Sequence, residues 1–152
     1  MNPHPIPHQR LVSLLATAGL LPFIIFTLLA FLQIYPDFAV QGLNTYSTAI
    51  ITFLAGTWWG FALMMKNTPP KTRAAILLAS NLVVIAAVFL VILAPPGVAT
   101  FALAAFYPAL LAGERLLPGL SRQPAYYRQM RVRVSMVALG THLLTGWTFA
   151  PV

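Results

Sequence analysis

Few residues in this sequence can do chemistry, and most of them sit in one stretch. From Gly113 to Arg133 it reads GERLLPGLSRQPAYYRQMRVR, holding Glu114 and the arginines 115, 122, 128, 131 and 133. The whole chain has only two acids and nine Lys or Arg, so this is a concentration of charge. An ionised Glu114 beside hydrocarbon must find a partner, reach water or take up a proton. Pairing with Arg131 or Arg133 across the loop gives a structural ion pair. Arg128, Arg131 and Arg133 together give a basic site for anionic lipid headgroups. A protonated Glu114 would instead be a coupling group for a carrier.

His142, one turn before Thr145, is the next candidate. Histidines inside a membrane serve as proton relays or haem ligands. A bis-histidine haem needs a second one in the membrane, yet His4 and His8 lie in the proline-rich HPIPH tail, without a carboxylate or thiol nearby. No cofactor and no metal is therefore expected, and His142 reads as a neutral residue hydrogen-bonded to a neighbouring helix. Asn81, Thr52, Thr57 and Thr145 complete the thin polar set available to a transported solute. Hydrolysis by acid and base wants two carboxylates close together. Asp37 and Glu114 fall on opposite sides of the membrane. There is no phosphate-cradling glycine loop and no Ser–His–Asp spacing. Without cysteine, disulfides, thiolate chemistry and iron–sulfur ligation are all excluded. No catalytic residue is expected.

The elements that position these residues follow from composition. Of 152 residues, 59% are hydrophobic and 7% charged, far from the soluble norm. A spanning helix needs roughly 20 apolar residues, and the chain offers five such runs: about 11–34, 44–65, 73–93, 97–117 and 131–150. The expected fold is all-α, an integral membrane bundle of five helices behind a flexible tail at 1–10. Adjacent prolines in KNTPPKT and APPG cannot continue a helix. Pro22 and Pro108 interrupt the first and fourth spans and are expected to kink them.

The net charge of +7 is not a nucleic-acid signature, because the cations fall in short clusters between apolar runs. Arg10, then Lys66, Lys71 and Arg73, then Arg115 to Arg133 all belong to one side. Asp37 alone marks the other. That asymmetry predicts a cytoplasmic N-terminus and an outside C-terminus; the location expected for such a chain is a bacterial inner membrane.

In the second span FLAGTWWGFALMM sets two tryptophans between two glycines. Gly56 and Gly60 form a small-xxx-small pair that lets helix backbones approach. Trp58 and Trp59 flank this expected groove, too deep to be headgroup anchors. A buried indole N–H wants an acceptor, and Asn81 lies at about the depth of Trp59. One of the two tryptophans is therefore expected to meet the third span near Asn81.

YSTAIITFLAGTWWG resembles the signature of the domain of unknown function 3429, or transmembrane protein 69-like, family. Tyr46, Phe53, Leu54, Gly56, Trp59 and Gly60 match that pattern, and Ala55 replaces a glycine. GLLPF, Glu114 with Arg115, and YYRQMRVRVS resemble further family motifs, with Tyr126 and Met130 replacing a Trp and a Leu. The resemblance runs from about Leu11 to Leu144. It implies a membrane bundle with bacterial or mitochondrial relatives, and no established activity.

Function is then expected to be non-enzymatic: a binding or assembly role at the inner membrane. Lipid or quinone is the expected ligand, and a second copy or another membrane protein a possible partner. The alternative is a small proton-coupled or passive carrier using Glu114, His142 and Asn81.

Overall fold

The computed structural model describes residues 7–65, 68–117, 120 and 123–149, all in helices and short turns. There are six helical segments: α1 (Pro7–Ala18), α2 (Leu21–Phe31), α3 (Pro36–Met64), α4 (Pro70–Leu93), α5 (Pro96–Leu116) and α6 (Ala125–Thr148). α1 and α2 continue one another, so the bundle has five rods. The sequence expected five.

Proline sets most of the starting points. α3, α4 and α5 each begin on one, and α2 carries Pro22 in its first turn. The first helical positions need no N–H, so a residue that lacks one costs nothing there. In each double proline the first residue caps and the second opens the helix. Three expected boundaries move as a result. YPDFAVQG, read as a connection, is helical from Pro36, and α3 reaches 29 residues. α6 starts at Ala125 rather than 131, which puts Arg128, Arg131 and Arg133 all on helix. α1 starts at Pro7, so the end of the expected tail is helical too. His4 and the side chain of His8 lie outside the described residues.

Pro22 does break the first rod, as expected, at Gly19–Leu20. The carbonyl of Gly19 is recovered by the Tyr46 hydroxyl of α3, which donates to it at 2.8 Å. α5, by contrast, runs unbroken through Pro108.

α3 occupies the centre, packing against α2, α4 and α5, while α6 closes the ring between α5 and α2. The packing is inverted relative to a soluble bundle. Outward faces carry Leu78, Leu82, Ile85, Phe89 and Ile92 on α4 and Met136, Leu143 and Leu144 on α6. The interior holds Asn44, Ser47, Ser80, Thr100, Glu114, Arg131, Ser135, His142 and Thr145. Apolar side chains exposed at this density have lipid, not water, as their natural surroundings. Four rods, Gln9–Phe31 and α3 to α5, are long and apolar enough to cross a membrane. α6 has the length, at 24 residues, but opens with a basic turn.

Candidate functional site

α5 and α6 present matched interior stripes. On α5, Thr100, Leu103, Tyr107, Leu110 and Glu114 recur every three or four residues; on α6, Arg131, Ser135, Ala138, His142 and Thr145 do the same. Residues so spaced share one helical face. Because α5 and α6 run antiparallel, the end of one stripe meets the start of the other, and Glu114 meets Arg131.

Arg131 donates through Nη2 to Oε1 of Glu114, with both side chains buried. Trp58 of α3 donates its indole N–H to the same oxygen over a long 3.4 Å. Three helices therefore converge on one carboxylate. The Trp58 ring edge lies against α5 at Gly113, where an added Cβ would collide with it. Gly113 is thus the glycine that this tryptophan needs, and it stands on another helix.

The expected ion pair is present with Arg131. Arg133 does not join it, because position 133 turns outward, as does 128. Arg131 in turn is withdrawn from the expected headgroup triad. What forms instead is a cavity of about 400 Å³ between α5 and α6, lined by Arg115, Arg128 and Arg133 together with Gln123, Gln129 and Glu114. Gln123 is buried, and neither its amide nitrogen nor its amide oxygen has a partner among the described residues. Arg122 and Lys66 lie outside those residues.

The tryptophan–glycine reading is corrected. Gly56 and Gly60 face outward with nothing near them, and Trp59 is 43% exposed beside them. Asn81 is exposed as well, and its amide donates to its own helix at Leu77. The contact between α3 and α4 exists one residue earlier, where the Ser80 hydroxyl donates to the Ala55 carbonyl at 2.7 Å. Trp58, not Trp59, is the buried indole, and its acceptor is Glu114. The pairing of helices was correct; the face of each was turned by one residue, about 100°.

His142 is fully buried, but its Nδ1 pairs within α6, 2.7 Å from the Ala138 carbonyl, rather than across helices. Its ring packs near those of Phe23 and Tyr107, and Nε2 has no partner among the described residues. Tyr107 itself is held by Ser47 at 2.9 Å. Asn81, Glu114 and His142 do not face a common cavity: the first points outward, the second lines the basic cavity, and the third is packed among rings.

A second, apolar cleft of about 330 Å³ lies on the other side of α6, between it, the broken first rod and α3. Val12, Leu15, Gly19, Phe23, Phe53 and Tyr127 line it, and Arg131 is the one charged residue on its wall. The Glu114–Arg131 pair therefore stands between the two spaces, Glu114 lining the basic one and Arg131 the apolar one.

Residues 8–147, which include every residue of both spaces, match the family described as protein of unknown function (DUF3429). The chain belongs to this family. No curated protein and no solved structure matches it. The DUF3429 description names no activity, so chemistry has to come from the residues. Thr100, Tyr107 and Gln123 are not among the residues expected from the sequence. Thr100, Tyr107 and Glu114 stand seven apart, a polar stripe within an apolar helix, and that spacing was available as a signal. Gln123 carried none, since nothing in its neighbours marks a buried amide.

Proposed function

We propose that this DUF3429 protein is a multi-pass protein of the bacterial inner membrane, with α6 as a fifth span and the basic end cytoplasmic, and that it binds anionic lipid headgroups without catalysing a reaction. The observation that carries this reading is the basic cavity. Three arginines surround it, and the buried Gln123 amide leaves a donor and an acceptor free inside. Buried polar atoms left unpaired are costly; a phosphate oxygen would accept from the amide N–H, and a free hydroxyl of a glycerol head group would donate to the amide oxygen. Glu114 also lines the space, but Arg131 holds its charge from the opposite side. Basic pockets between helix ends on the cytoplasmic side suit anionic headgroups.

The test is lipid retention. Protein purified in mild detergent and given equal amounts of phosphatidylglycerol and phosphatidylcholine should keep the former in native mass spectra. Arg115→Gln, Arg128→Gln and Arg133→Gln combined should abolish the preference. Equal retention of both lipids by the unaltered protein would defeat the proposal. Orientation is checked separately: the chain has no cysteine, so a single cysteine placed in the loop after α5 should react with an impermeant thiol reagent only after the cells are opened.

A further inference from the structure

The apolar cleft carries a second site, independent of the basic cavity. Arg131 is 97% enclosed, and one nitrogen, Nη2, is used by Glu114. Nε and Nη1 have no partner among the described residues. A guanidinium offers five N–H donors in a rigid fork, so most of this donor capacity stands unused in a low-dielectric interior, where unmet polar groups are expensive. The cleft wall is otherwise apolar and aromatic, and its rim residues Leu15 and Phe53 are 60% and 69% exposed. The space thus opens sideways, onto the surface that faces lipid.

We infer that this cleft binds a membrane quinone, with a ring carbonyl accepting from the free N–H groups of Arg131 and the apolar tail leaving between Leu15 and Phe53. Charge decides the head group. Glu114 already balances Arg131, so the site is neutral as it stands. A carboxylate would add an uncompensated buried anion, which is costly; a neutral carbonyl satisfies the donors without that penalty. Shape decides the rest. Phe53 and Tyr127 make the lining aromatic, and stacked or edge-on contacts with a flat head would favour it beyond area alone. A volume of about 330 Å³ falls at the small end of ligand pockets, adequate for a ring and the first part of its tail. Position fits as well: the cleft descends from Tyr127, in the first turn of α6, to Ile50 and Phe23 in the middle of the bundle.

The experiment titrates the purified full-length protein in detergent with decylubiquinone, read as quenching of tryptophan emission. Oleate and monoolein, which quench nothing, are measured by displacement. Decylubiquinone should bind saturably and resist displacement by either competitor. Ala16→Phe, which fills the cleft far from the ion pair, should abolish saturable quenching while leaving the melting temperature in place. Glu114→Gln with Arg131→Gln keeps the site neutral and removes the guanidinium; it should weaken decylubiquinone about ten-fold or more, the scale of a lost hydrogen bond to a charged donor. Linear, non-saturating quenching of the unaltered protein would overturn the proposal, as would unchanged binding to Ala16→Phe. Tighter binding of oleate would overturn the neutral head, and tighter binding of monoolein the ring. Neither result depends on phosphatidylglycerol retention, so this site and the basic cavity can fail separately.

Discussion

The two ends of the bundle treat buried polarity differently. At the end away from the arginines, Asn44 donates to the Pro96 carbonyl at 3.0 Å and accepts from Thr100 at 2.9 Å, while Thr145 donates to Thr27. These groups answer one another, and neither space described above reaches them. At the basic end, Trp58 and Arg131 share a single oxygen of Glu114, and four atoms of Arg131 and Gln123 have no partner among the described residues. Both spaces described above open there. In hydrocarbon a closed polar pair adds register and little else, whereas an open one signals a missing partner. Both sites proposed above therefore fall among the unpaired groups, and the closed pairs at the other end serve helix alignment.

The comparison breaks most visibly at the ion pair. Glu114→Ala or Arg131→Ala alone strands a buried charge and should cost about 3–5 kcal/mol in thermal unfolding in detergent. Glu114→Leu with Arg131→Met, which removes both charges, should come close to the unaltered stability. If the double variant were as unstable as either single one, the pair would not be the cause. Gly113→Ala drives a methyl into the Trp58 ring and should cost about 1–3 kcal/mol, with a red shift of tryptophan emission. Gly56→Ala, facing open space on the same level, should change neither reading. At the closed end, Asn44→Ala removes the amide that ties α3 to Thr100 and to the Pro96 carbonyl, which keep their bond to each other, and a loss of about 1 kcal/mol should appear in the same melts. Lipid and quinone binding should survive it. The smallest effect is expected on α4: Ser80→Ala should lose about 0.6 kcal/mol, the mean for a hydrogen bond between membrane helices, and Asn81→Ala nothing measurable.

That last pair also shows where reading the sequence stops. The number of rods, their order and the clustering of arginines follow from hydropathy, proline and charge, which act through local or additive effects. The Glu114–Arg131 pair was legible because a carboxylate in an apolar setting has few options and the next helix brings arginines back across a short loop. The rotation of α3 and α4 was not legible. Composition at Gly56, Trp58, Trp59 and Gly60 is apolar all round, so no amphipathic contrast fixes which face turns inward. Gly113 and Glu114 on α5, far away in sequence, make that choice by offering Trp58 a notch and an acceptor. Likewise the unused donors of Arg131 depend on geometry that no spacing rule contains.

The first rod has a consequence for how the protein is made. α1 and α2 hold 12 and 11 residues, so at 1.5 Å per residue each reaches only about 18 and 17 Å. The hydrocarbon layer is about 30 Å thick, and neither piece traverses it unaided. Their junction is latched by the Tyr46 hydroxyl, which the ribosome delivers more than twenty residues later. The two pieces cross only as one rod, and the hydroxyl that ties their break can be in place only once α3 stands beside it.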